Sequence, residues 1–155
     1  MKIQWKKLIA CVAIPLAVGG VSALLTRESM KAFEELNQPA LSPPGWLFPV
    51  VWTILYVLMG IASYLVITKE ETYRTGIAIT VYTIQLVFNF FWSIIFFNLE
   101  MYLTAFIWLI LLWGLIAITT FVFYRISKPA GYLMIPYLLW VTFAGYLNYG
   151  VYLLN

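Results

Sequence analysis

The chain has 155 residues, 64% of them hydrophobic and 10% charged, and its mean hydropathy is +0.93. A composition this apolar excludes an ordinary soluble domain and reads as a polytopic membrane protein. The net charge of +3 comes from basic residues scattered between apolar runs, with no cationic face to suit nucleic acid, while the absence of His and a single cysteine, Cys11, rule out an internal disulfide and nearly exclude a His/Cys metal site.

Uncharged runs cover 8–26, 36–68, 75–99, 101–124 and 129–155, each close to or above the ~20 residues that cross a bilayer. They predict an all-α integral membrane protein: one domain over 1–155, a bundle of five transmembrane helices near 7–26, 46–68, 76–98, 101–124 and 130–153, with a long loop between helices 1 and 2. An odd count puts the termini on opposite sides. Lys2, Lys6, Lys7, Lys69, Arg74, Arg125 and Lys128 share one side and only Arg27 and Lys31 the other, so the basic asymmetry predicts a cytoplasmic N-terminus in the cell membrane. The first apolar run is too long for a signal-peptide core, and Thr26-Arg27-Glu28-Ser29 lacks a small-residue cleavage site.

Helix one contains Pro15, which predicts a mild kink, and Gly19, Gly20, Ser22 and Ala23, which suit either close helix packing or room for a ligand. From Arg27 to Pro44, Met30, Phe33 and Leu36 recur at helical spacing among charged residues. This predicts a short amphipathic helix, ended by Pro39, that either caps the bundle as a lid or lies in the headgroups. Pro43 and Pro44 lead into helix two, and Pro49 falls in its first turn, where its missing N–H has no intrahelical partner to lose. Trp46 then suits the interface, while Trp52 lies about 9 Å deeper.

Gln85 and Asn89 are the most polar residues at membrane depth. Being four apart they share a face, which Trp92 and Phe96 extend, and an amide facing lipid would be unpaired, so the stripe must face inward. Gln85 reads equally as interhelical glue or as pocket wall, whereas Asn89 leans toward a pocket. Helix four, despite Trp108 and Trp113, has nothing more polar than threonine and reads as a wall. On helix five, Pro136, Trp140, Ala144 and Asn148 repeat every four residues, so Ala144 leaves a notch beside tryptophan that suits a flat ligand. The six acidic residues, Glu28, Glu34, Glu35, Glu70, Glu71 and Glu100, all fall in predicted loops, which argues against a proton-coupled exporter. No catalytic triad, intramembrane carboxylate pair, phosphate loop or metal-ligand spacing is present.

The segments PALSPPGWLFPVVWTILYVLMG (39–60), QLVFNFFWSIIFF (85–97) and PYLLWVTFAGYLNYGVY (136–152) together make the chain resemble the translocator protein family, whose bacterial members are called tryptophan-rich sensory proteins. The likeness extends over the whole chain. It implies a five-helix bundle, commonly a homodimer, that binds protoporphyrin IX and related tetrapyrroles as ligand or substrate, along with isoquinoline carboxamide and benzodiazepine-type drugs. Family members are linked to tetrapyrrole transport, sensing and light-dependent breakdown. Carried across residue by residue, the resemblance implies a pocket at Trp52, Asn89, Trp140, Ala144 and Leu147, with Phe48 and Val51 at weaker positions; the polar stripe adds Trp92. Tyr149 has no basic residue after it, which leaves the proposed sterol-contact pattern of animal members unmatched.

Three functions are open on this reading. The first is a membrane protein that binds protoporphyrin IX and promotes its photo-oxidative degradation through Trp52 and Trp140, with no metal and no cofactor. The second is a transporter, scavenger or sensor without chemistry, and the third a structural partner whose aromatics only pack. Arg27 and Lys31, the only cations on the loop side, would meet the propionates. The small residues near Gly76, Ala78 and Thr80 offer a surface for a homodimer.

Overall fold

The computed structural model describes residues 2–69 and 73–155, and its regular structure is helical. Five helices follow one another: α1 (Trp5–Phe33), α2 (Leu47–Ile67), α3 (Tyr73–Ser93), α4 (Tyr102–Ile126) and α5 (Lys128–Leu154), with α3 continuing as a π-helix over Ile94–Asn98. All five are long and apolar enough to cross a membrane. Their main contacts run α1 to α2, α2 to α5, α5 to α4, α4 to α3 and α3 with its π-turn back to α1, so in cross-section the bundle closes in the order 1–2–5–4–3.

The two ends of the bundle are tied separately. At one, the Gln4 backbone N–H donates to the Tyr64 hydroxyl at 2.8 Å. At the other, Ser29 Oγ donates to Asn98 Oδ1 at 2.7 Å and Asn155 Nδ2 to the Asn37 carbonyl at 2.8 Å. The N-terminus therefore shares an end with the α2–α3 and α4–α5 connections, and the C-terminus lies opposite. Glu70 and Glu71, placed in a loop by the sequence, lie outside the described residues.

The first helix differs from expectation. It runs unbroken to Phe33, so Arg27, Glu28 and Lys31 stand on α1 itself and not on a separate amphipathic helix in a loop. Nothing between Thr26 and Phe33 removes a backbone donor or favours a turn, and Lys31 pairs with Glu28 at 3.7 Å one turn earlier. At 29 residues α1 is about 44 Å long, well beyond a ~30 Å hydrocarbon core, so its last turns suit the polar zone. The connection to α2 thus shrinks to residues 34–46.

Close approach sets the α1–α2 contact. A Cβ built on Gly60 would lie 2.5 Å from Val12 Cα and 2.7 Å from the Cys11 carbonyl, and one on Gly19 would run into the Tyr56 ring. Pro15 is buried in this seam's helix and is accommodated within α1. On α4 the buried residues are Ala105, Leu109, Leu112, Ile116, Thr119 and Phe123, a 3.6-residue stripe facing α5 and α3 that polarity does not mark, because the helix is apolar all round. Ala78 is fully buried, so it belongs to the core and leaves the small-residue surface around Gly76 and Thr80.

Candidate functional site: the polar and aromatic seam of α2, α3 and α5

Membrane depth offers no water, so each amide placed there must find its partners within the protein. Gln85 and Asn89 do so across two helices. Asn89 Nδ2 donates to the Tyr137 hydroxyl at 2.6 Å, that hydroxyl donates to Gln85 Oε1 at 2.7 Å, and the Tyr56 hydroxyl donates to Asn89 Oδ1 at 3.2 Å. Gln85 Nε2 reaches Met59 Sδ at 3.8 Å. Gln85 is thereby placed as interhelical glue. Asn89 carries the same role and retains one amide N–H that these contacts do not use.

The aromatic part of the seam is continuous with this network. Trp52 stacks on Tyr56, with ring centroids 5.6 Å apart at 29°, and meets Tyr137 edge-on at 6.2 Å. One turn back on α2, Phe48 meets Trp140 of α5 edge-on at 5.9 Å. Trp52 and Trp140 therefore stand on the facing sides of α2 and α5. The Trp140 indole N–H is buried and has no hydrogen-bond partner among the described residues, which is costly for a donor at this depth. Ala144, one turn further along α5, is buried, and Val51 and Leu147 are half-buried on the same two helices.

Trp92 is placed differently from its expected companions. Its Nε1 donates to Asn148 Oδ1 at 3.1 Å, Asn148 Nδ2 donates to the Tyr102 carbonyl at 2.9 Å, and its ring stacks on Phe96 at 5.2 Å. Phe33 and Phe97 join this second cluster, next to the π-turn. Five of the eight expected site residues, Phe48, Trp52, Asn89, Trp140 and Ala144, line or adjoin the α2–α3–α5 seam. Sequence reasoning missed Tyr56, which falls one turn after Trp52 on the same face and was masked by the abundance of tyrosine in the chain.

Residues 37–40 are strapped to the end of α5. Tyr146 donates to the Ala40 carbonyl at 2.7 Å, Asn155 bonds the Asn37 backbone, and a Cβ on Gly150 would come within 2.6 Å of the Pro39 ring. Arg27 and Lys31 are exposed on α1 nearby in sequence, and neither bonds to this strap among the described contacts.

A cavity of about 460 Å³ lies apart from the seam, between α1, α2 and α3, with Cys11, Ser63, Tyr82 and Leu86 among its walls. The described residues hold no cluster of metal-ligating side chains.

Five apolar helices closed around a polar and aromatic interior define a multi-pass membrane protein. The chain matches the TspO/MBR family over residues 11–154. It is 38% identical over 157 residues to the tryptophan-rich protein TspO of Chlorobaculum tepidum, covering all of this chain and 99% of that one, and 34% identical over 155 residues to the tryptophan-rich sensory protein of Cereibacter sphaeroides, covering all of this chain and 95% of the relative. The human translocator protein is 38% identical over 128 residues, 81% of this chain and 75% of its own length. The chain belongs to the TspO/MBR family.

Proposed function

We propose that the protein binds a tetrapyrrole such as protoporphyrin IX in the α2–α5 seam and promotes its light-dependent oxidative breakdown. The observation that carries this reading is the buried Trp140 indole N–H, without a partner among the described residues, set beside Phe48 and across from Trp52. A donor left bare in a low-dielectric interior is satisfied when a ligand oxygen reaches it. A flat macrocycle adds stacking on indole and phenyl faces, worth ~0.5–1.5 kcal/mol per aromatic pair beyond buried area. The same N–H suits the carbonyl of an isoquinoline carboxamide. Its dependence on a seam that ring packing now fills implies that Phe48 and Trp140 separate to admit the disc.

The reading asks no acid, base or metal of the chain. Light supplies the energy and dioxygen the oxidant: Trp52 or Trp140 gives an electron to the excited macrocycle, the macrocycle passes it to dioxygen as superoxide, and superoxide adds to the ring while the surplus electron returns to the indole radical, so that the net change is addition of dioxygen to the pigment. Protoporphyrin IX titration followed by timed illumination tests the reading. Trp52→Phe should retain much of the binding, because phenylalanine keeps a stacking face, Trp140→Phe should weaken it about fivefold through the lost N–H donor, and both should largely lose the bleaching. If both bleach at the wild-type rate, the photochemical role fails, and a carrier or sensor that leaves the pigment intact replaces it.

A further inference from the structure

We infer that the cavity between α1, α2 and α3 is a second binding site, separate from the tryptophan seam, for a neutral bilayer-resident lipid that carries one acceptor oxygen. The cavity holds about 460 Å³, within the ~300–1,000 Å³ usual for small-molecule sites. Its walls are apolar over most of their extent, with Ile14 and Val18 from α1 and Leu86 and Phe90 from α3. Its polar end is made by Tyr82, 5% exposed, whose hydroxyl has no hydrogen-bond partner among the described residues. Ser63 and Cys11 stand near that hydroxyl; Ser63 Oγ donates to the Gly60 carbonyl at 2.9 Å, and neither side chain lies in hydrogen-bonding geometry with the phenol.

Three features select the ligand. The unpaired group is a phenol, so the ligand must offer an acceptor such as a ketone or quinone carbonyl. No charged residue lines the cavity, which disfavours phosphate heads and the propionates of a porphyrin alike. Tyr82 sits nine residues into α3, about 14 Å along the helix from Tyr73, below the depth at which a headgroup resides. A ligand with its oxygen that deep is a lipid-phase molecule entered from the side.

The test uses the full chain in phosphatidylcholine nanodiscs with two photoactivatable diazirine probes, a long-chain methyl ketone and the matching hydrocarbon. The ketone should label peptides of α1 and α3 around Val18 and Leu86 saturably, and Tyr82→Phe should weaken that labelling about fivefold, the worth of one hydrogen bond, with hydrocarbon labelling unchanged. Leu86→Trp, which fills the cavity, should abolish it. Tyr82→Phe should leave protoporphyrin IX titration as it is, so the outcome is independent of the reading of the seam. Equal ketone labelling of wild type and Tyr82→Phe, unsaturable labelling that marks bulk lipid only, or cross-links joining two copies of the chain through these same peptides would each overturn the inference.

Discussion

Asn89 and Tyr137, from helices that are not neighbours in sequence, meet at 2.6 Å in the middle of the bundle, and the tyrosine hydroxyl passes the bond on to Gln85. Both ends of this relay are buried, so removing its centre strands two polar groups. Tyr137→Phe should cost about 1–3 kcal/mol of stability, and Asn89→Ala a similar amount. The double variant should cost less than the sum, because both changes break one network. Thermal unfolding in a single detergent, followed by tryptophan fluorescence, measures all three; additive losses would mean that the network does not act as a unit.

The indoles of Trp92 on α3 and Trp140 on α5 should respond differently to the same substitution. Trp92→Phe loses the bond to Asn148 Oδ1 and leaves that amide short of a donor, so the protein should melt several degrees lower. Trp140→Phe removes a donor that has no partner among the described residues and gives up only part of the ring contacts with Phe48 and Phe143, so it should lower the melting temperature of the unliganded protein much less. A large loss from Trp140→Phe would show that its N–H is satisfied in the folded protein.

Glycine substitutions separate the helix contacts. Gly60→Leu places a side chain against the α1 backbone and should be strongly destabilising, by more than about 2 kcal/mol, or prevent accumulation of folded protein. Gly76 has open space around it, so Gly76→Ala should be neutral or stabilising by up to ~1 kcal/mol from helix propensity. If Gly76→Ala instead lowers stability in bilayers, that surface is covered, as a homodimer would cover it.

The strap over α5 should govern access from the C-terminal end. Tyr146→Phe removes the bond to the Ala40 carbonyl, and Gly150→Val pushes on Pro39. Both should speed proteolytic cleavage within residues 34–46 while leaving the helices intact, as read by limited proteolysis and mass spectrometry. Unchanged cleavage in both would show that the strap is held by other contacts.

The basic asymmetry predicts that a thiol at Asn155, in a Cys11→Ser background, reacts with a membrane-impermeant reagent from outside the cell, and one at Lys2 only after the membrane is opened. The reverse pattern would invert the topology.

How far the chain could be read in advance differed by feature, for physical reasons. The inward face of Gln85 and Asn89 was legible because an unpaired amide cannot face lipid. Their partners Tyr56 and Tyr137 were not, since cross-helix register is invisible in a single strand of sequence. Trp92 follows the same periodicity as Asn89, yet Asn148 on α5 draws it into another cluster. The end of α1 was misplaced because charged residues at helical spacing look alike on a surface helix and on the overhang of a spanning one; only a backbone break would tell them apart, and the first is Pro39. The buried face of α4 had no polar contrast to announce it.

The π-turn at the end of α3 has its own arithmetic. The Leu99 N–H bonds the Ile94 carbonyl at 3.0 Å, five residues back, and the Asn98 amide, beyond the extra residue, reaches the Leu25 carbonyl of α1 at 3.0 Å. One surplus residue rotates everything after it by about 100° relative to an uninterrupted α-helix. The shift accompanies the contacts of Phe97 with Phe33 and of Asn98 with α1, whereas Phe96 stacks on Trp92 at ordinary i,i+4 spacing. A one-residue deletion in Ile94–Asn98 would leave the span and its hydropathy almost unchanged, yet it should turn Phe97 and Asn98 away from Phe33 and the Leu25 carbonyl of α1. Chain length at this point is therefore a coded quantity, and an alignment that closes a gap there by sliding one position would mistake a change of facing for a conserved wall.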